Sequence, residues 1–175
     1  MTFAAYLSEV FRFFAAFFLL LAGLGKIRFY KDFRGNLSES FGLSAGLSAA
    51  IAPLTIIAEV LVALTILVSN RSAYPGMVSA LIMLCIFTGL ISFKFLKDGA
   101  VKCSCFGEAA RPVSGYDLAR NLALIACIFF YLFAADESAG LSLETGLLVA
   151  ALSLIPTVIA VEFHEIATLV ADGLE

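Results

Sequence analysis

SAYPGMVSALIMLCIFTGLISF, from Ser72 to Phe93, runs for 22 residues without a charged side chain. A helix that crosses the hydrocarbon core of a bilayer needs about 20 predominantly apolar residues, so this stretch is long enough by itself. Four further stretches reach that length once a flanking charge or a single internal one is admitted. Working outward from the charge-free run, the expected spans are 10–29, 47–69, 75–96, 116–135 and 144–161. The composition agrees. Of 175 residues, 62% are hydrophobic and 14% charged, against roughly 45–50% and 25% in a water-soluble domain. Mean hydropathy is +1.03. A soluble enzyme, a disordered tail and a secreted disulfide scaffold are excluded. A net charge of −3 and the lack of a long basic run give no reason to expect a nucleic-acid partner. The sequence predicts an all-α, polytopic transmembrane helical bundle, one membrane domain over 1–175, with a four-helix core and a fifth helix outside it.

Local signals refine this layout. Pro75 is expected in the first turn of the third span, where a missing N–H costs little. Pro156 falls inside the fifth, where neighbouring helices make it tolerable in lipid. Met1 to Val10 carries no Lys or Arg, unlike the basic start of a signal peptide, so the first span reads as retained. Gly23, Gly25, Gly42, Gly46, Gly76 and Gly89 offer the small surfaces that membrane helices use for close packing. Tyr30–Gly46 and Lys97–Gly115 read as loops on one side of the membrane. That side carries Arg28, Lys31, Arg34, Lys94, Lys97, Lys102 and Arg111, whereas the other holds little beyond Arg12 and Arg71. The positive-inside rule places the more basic side in the cytoplasm.

The strongest chemical signal lies in the second of those loops: Lys102-Cys103-Ser104-Cys105-Phe106-Gly107. Joined, Cys103 and Cys105 close a small ring whose disulfide geometry is hard to satisfy, and strained, exposed disulfides are oxidising and labile. Lys102 beside them favours thiolate over thiol. The functional reading is a redox dithiol that exchanges with a partner. Half of a metal site and a purely structural disulfide are the alternatives. Zinc asks for four ligands and the only histidine is His164, so no metal site is expected. Cys85 and Cys127 lie within spans, where cysteine behaves as a small apolar residue, although a relay through them is conceivable. Glu59 stands near the middle of the second span, where a carboxylate must be protonated or paired. Lys26 sits about one turn from the end of the first span and Arg120 about one turn into the fourth. Either they snorkel to the interface, or the bundle gathers Lys26, Glu59, Arg120 and the Cys pair around one pocket.

These residues carry a resemblance. Ala22-Gly23-Leu24-Gly25-Lys26, Pro53 with Ala58-Glu59, Cys103-Ser104-Cys105-Phe106-Gly107 and Leu118-Ala119-Arg120-Asn121 stand in an order that resembles the MauE family. Those methylamine-utilisation membrane proteins are grouped with DoxX-like redox-associated membrane proteins. The likeness covers about 11–133. Family members usually have Gly between the cysteines, where this chain has Ser104. The resemblance implies a membrane partner for a thioredoxin-like redox protein, with Cys103 and Cys105 exchanging with that protein's dithiol. It implies that Lys26, Glu59, Lys102, Arg120 and Asn121 shape the site, and it admits a quinone inside the bundle. Support of exported proteins implies a cell (inner) membrane with the Cys pair on the outer, periplasmic face, where disulfides persist. Charge counting points the other way, and the functional expectation is the one adopted.

Three functions are therefore separable. A thiol–disulfide oxidoreductase of the membrane is the leading expectation. A non-catalytic membrane adaptor for a thioredoxin-like protein is the first alternative. A small-solute carrier using Glu59 and Arg120 as coupling groups is the second, though no inverted repeat of the kind many carriers show is evident.

Overall fold

The computed structural model describes residues 2–68, 70–98, 113–134 and 142–163. They form six helices: α1 (Phe3–Arg28), α2 (Tyr30–Phe41), α3 (Ala45–Val68), α4 (Asn70–Asp98), α5 (Gly115–Ala134) and α6 (Leu143–Val161). Five of these, all but α2, are long and apolar enough to cross a membrane. The chain is a multi-pass helical membrane protein.

Helix α1 is the hub. It packs against α3, α4, α5 and α6, while α3 meets α4 and α4 meets α5. The core between α1, α3, α4 and α5 holds Phe14, Phe18, Leu19, Ile66, Met77, Leu84, Leu124 and Ile128. Lipid tails are as apolar as leucine, so membrane helices associate through close packing of small residues rather than through exclusion of water. Here alanine does most of that: Ala15, Ala16, Ala52, Ala63, Ala73 and Ala80 are completely buried. Of the glycines expected at interfaces, Gly23 and Gly76 are there. A Cβ on Gly76 would fall 2.8 Å from Ile66 Cγ1 and 3.3 Å from the Ile66 backbone nitrogen. Gly46 and Gly89 have open space beside them instead, and Gly42 serves a different purpose, ending α2 with a left-handed φ of 66°. A Cβ penalises that conformation, which is why glycine so often follows the last helical turn.

Helix α6 is peripheral, as the sequence predicts. Among its described side chains it buries only the seam Val149, Ser153, Thr157, one residue per turn. Ser153 Oγ lies 2.7 Å from Val149 O and 3.1 Å from Val10 O. Its single proton is thus shared between its own helix and α1.

Three local expectations change. Tyr30–Gly46 is not all loop: Tyr30, Phe33, Leu37 and Phe41 fall on one face of α2 and cover Ala52 and Ile56 of α3. Their helical spacing was hidden by Lys31, Asp32, Arg34 and Glu39, which make the segment polar on average. Helix α1 starts at Phe3, capped by Thr2, rather than near Val10, because Glu9 and Arg12 are buried within it as a pair. Helix α4 starts at Asn70, so Pro75 lies in its second turn rather than its first.

Candidate polar site in the bundle

Gly23 sets the site up. A Cβ there would stand 2.9 Å from Val60 Cγ2 and 3.7 Å from Glu59 Cβ, so its absence lets α1 approach α3 closely. One turn further along α1, Lys26 turns inward rather than toward an interface. Its Nζ donates to Glu59 Oε1 at 2.6 Å and Oε2 at 2.8 Å. Lys26 is 1% exposed and Glu59 7%. A charge in such surroundings is costly unless paired and hydrogen-bonded, and each is the other's partner. The rings of Phe33 and Phe87 lie 5.6 and 5.8 Å from the ammonium, within the range where an aromatic face attracts a cation.

The pair borders a cavity of about 40 Å³ between α1, α3, α4 and α5, whose other lining residues include Thr55, Leu84 and Asn121. That is room for about three or four water molecules at roughly 10–15 Å³ each.

Arg120 belongs to the neighbouring turn of α5. Its guanidinium lies 5.5 Å over the Phe18 ring and 3.7 Å from Asp117 Oδ1. The other carboxylate oxygen, Asp117 Oδ2, accepts from Ser114 N at 2.9 Å and Ser114 Oγ at 3.1 Å. This is one half of a capping box, in which an acid at the third helical position reaches back to the backbone N–H of the cap residue, while Asp117 N donates to the Ser114 carbonyl at 3.1 Å. It fixes where α5 begins and holds the carboxylate facing Arg120. Just before it, Val113 packs with Ile91, Phe87, Phe95 and Leu118. Val113, where the described chain resumes, therefore packs beside Phe87, a wall of the cavity.

Lys102, Cys103 and Cys105 belong to that segment and lie outside the described residues. Of the residues expected to surround one pocket, Lys26, Glu59 and Asn121 line the same cavity and Arg120 is adjacent in sequence to one of them. Cys85 is exposed on α4 and Cys127 is half-buried against the main core. Neither lines the cavity. Among the described residues no three His, Cys, Asp or Glu side chains gather where a metal ion could bind.

Residues 4–134 match the family model described as methylamine utilisation protein MauE. The chain belongs to the MauE family. No curated protein and no solved structure matches it. The MauE match ends on the last residue of α5, so it takes in the whole packed core and leaves out the peripheral α6.

Sequence reading missed a second buried polar group in the MauE region, at the other end of α1. Arg12 Nε lies 3.0 Å from Glu9 Oε2 with both side chains buried, and the Tyr131 hydroxyl of α5 accepts a hydrogen bond from Arg12. The missing signal was available: an acid followed three residues later by a base is one face of a helix. Beginning the span at residue 10 left Glu9 outside it, and counting Arg12 with the charges of one membrane side concealed the pairing.

Proposed function

We propose that this MauE-family protein is a membrane partner of a thioredoxin-like redox protein, which docks at the loop carrying Cys103 and Cys105. The observation that carries the proposal is the Lys102-Cys103-Ser104-Cys105-Phe106-Gly107 run, placed by the sequence between α4 and α5. The packing of Val113 against α4 and the capped start of α5 support this reading, since they would give a docked partner a fixed base. In its simplest form the protein is an adaptor: the bundle positions the partner at the membrane, and its buried ion pairs maintain the shape of the platform. The loop is proposed to face the periplasm of a cell with an inner membrane.

A second reading follows from the motif itself, since Lys102 favours the thiolate of its neighbours. Here a partner thiolate attacks one sulfur of the Cys103–Cys105 disulfide and breaks the S–S bond, giving a mixed disulfide. The partner's second thiolate then resolves it, so that the partner dithiol is oxidised and the Cys pair is reduced to two thiols. The reverse reaction carries the same two electrons the other way.

One experiment separates the two. Intact cells are treated with a membrane-impermeant maleimide before and after reduction, for the natural chain and for Cys103→Ser/Cys105→Ser. In parallel, thioredoxin-fold proteins that crosslink to each are identified. Labelling that requires prior reduction, with a partner trapped as a mixed disulfide by Cys105→Ser, supports exchange. Crosslinking that survives the double substitution supports the adaptor. If no thioredoxin-fold protein crosslinks to either chain, the proposal is wrong.

A further inference from the structure

Asn121 presents an anomaly beside the ion pair. It is 3% exposed, it lines the cavity with Lys26 and Glu59, and among the described residues its amide has no hydrogen-bond partner. Buried side-chain amides are nearly always bonded, to protein or to ordered water. An asparagine carries two N–H donors and one carbonyl acceptor, so the deficit is large. The groups facing it are incomplete in the same sense. Glu59 accepts two hydrogen bonds, both from Lys26, whereas a carboxylate has about four acceptor positions. Thr55 Oγ1 donates its one proton to Ile51 O at 3.0 Å, which leaves its oxygen able to accept.

A water molecule needs two to four polar partners and enough room. The cavity supplies both: donors on Asn121, acceptors on Glu59, Thr55 and Asn121, and a volume of about 40 Å³. From this geometry we propose that the cavity is a built hydration site, in which Asn121 holds water against the Lys26–Glu59 pair. Asn121 is thus a positioning residue that keeps the ion pair in contact with water inside an otherwise apolar bundle. The rest of the lining is apolar: Phe18, Leu19, Ala22, Met83, Leu84 and Phe87.

The test uses the full chain in lipid bilayers, labelled with ¹⁵N-lysine and studied by water-edited solid-state NMR. The Lys26 ammonium resonance is identified by its loss in Lys26→Met. In the natural protein Lys26 is expected to receive magnetisation from water within about a factor of three of the interfacial lysines. Asn121→Leu, which fills the cavity with an apolar side chain, is expected to slow that transfer at least fivefold. Asn121→Ser and Asn121→Ala form a matched pair that serves even where the leucine variant misfolds: the serine hydroxyl retains fast transfer and alanine does not. The proposal is overturned if Lys26 in the natural protein is polarised as slowly as core methyl groups. It is equally overturned if the serine and alanine variants behave alike. Neither outcome depends on whether a redox partner exists.

Discussion

The two ends of α1 hold buried charges by different means. Near its end, Lys26 reaches across to Glu59 on α3, 33 residues away, with two hydrogen bonds of 2.6 and 2.8 Å. Near its start, Arg12 sits 3.0 Å from Glu9 on the same helix, three residues away, without the alignment of a hydrogen bond between those two atoms. The local pair forms wherever α1 is helical. It neutralises its own charges before any other helix is present and extends the spanning segment to Phe3. The long-range pair forms only when α1 and α3 stand at one relative depth and rotation. Each of its members enters the membrane at a cost of roughly 2.5–3.5 kcal/mol on insertion scales, and helix assembly relieves that cost. The local pair permits a helix; the distant pair specifies a bundle.

Four variants test that contrast, the single substitutions running from the largest effect down. Lys26→Met strands the Glu59 carboxylate and should lower unfolding free energy by about 3–5 kcal/mol, the usual cost of breaking a buried pair from one side. Lys26→Met/Glu59→Leu should recover most of the loss, because two well-packed apolar residues often replace such a pair without penalty. Steric trapping in bilayers measures both, and a double variant as unstable as the single one would mean that the partners do not act as a unit. Arg12→Met also strands a buried carboxylate, that of Glu9, but should cost less, about 2 kcal/mol, because the Glu9–Arg12 contact lacks an aligned hydrogen bond. A loss equal to that of Lys26→Met would erase the distinction between the two ends. Tyr131→Phe removes only the hydroxyl that links α5 to Arg12 and should cost about 1 kcal/mol. A thermal melt in detergent that shows no shift would place that hydroxyl outside the cluster's energetics.

Much of the architecture was legible in advance. The expected spans 47–69, 116–135 and 144–161 differ from the helices by a few residues at either end, because hydropathy summed over about 20 residues is a strong local signal. Glu59 was legible as a residue needing a partner, since a mid-span carboxylate has no route to water. Helix α2 was less so, for its apolar face is narrow and its mean character polar. The glycine expectation was half legible: Gly23 and Gly76 mark helix approaches, yet Ala15, Ala63 and Ala80 do the same at other contacts. A small side chain in a sequence does not disclose which face of its helix meets a neighbour.

By itself the sequence determined that this chain is a bundle of membrane helices, that Glu59 must be paired or protonated, and that its Cys-Ser-Cys motif lies between α4 and α5. Each of these depends on local composition against the physics of the bilayer. Only the tertiary structure decided that Lys26 turns inward instead of snorkelling, that Asn121 shares a cavity with it, and that Glu9 and Arg12 are buried with Tyr131. Those outcomes depend on how helices are rotated and staggered against one another, and that is set by many weak packing contacts summed across the bundle rather than by any one stretch of chain.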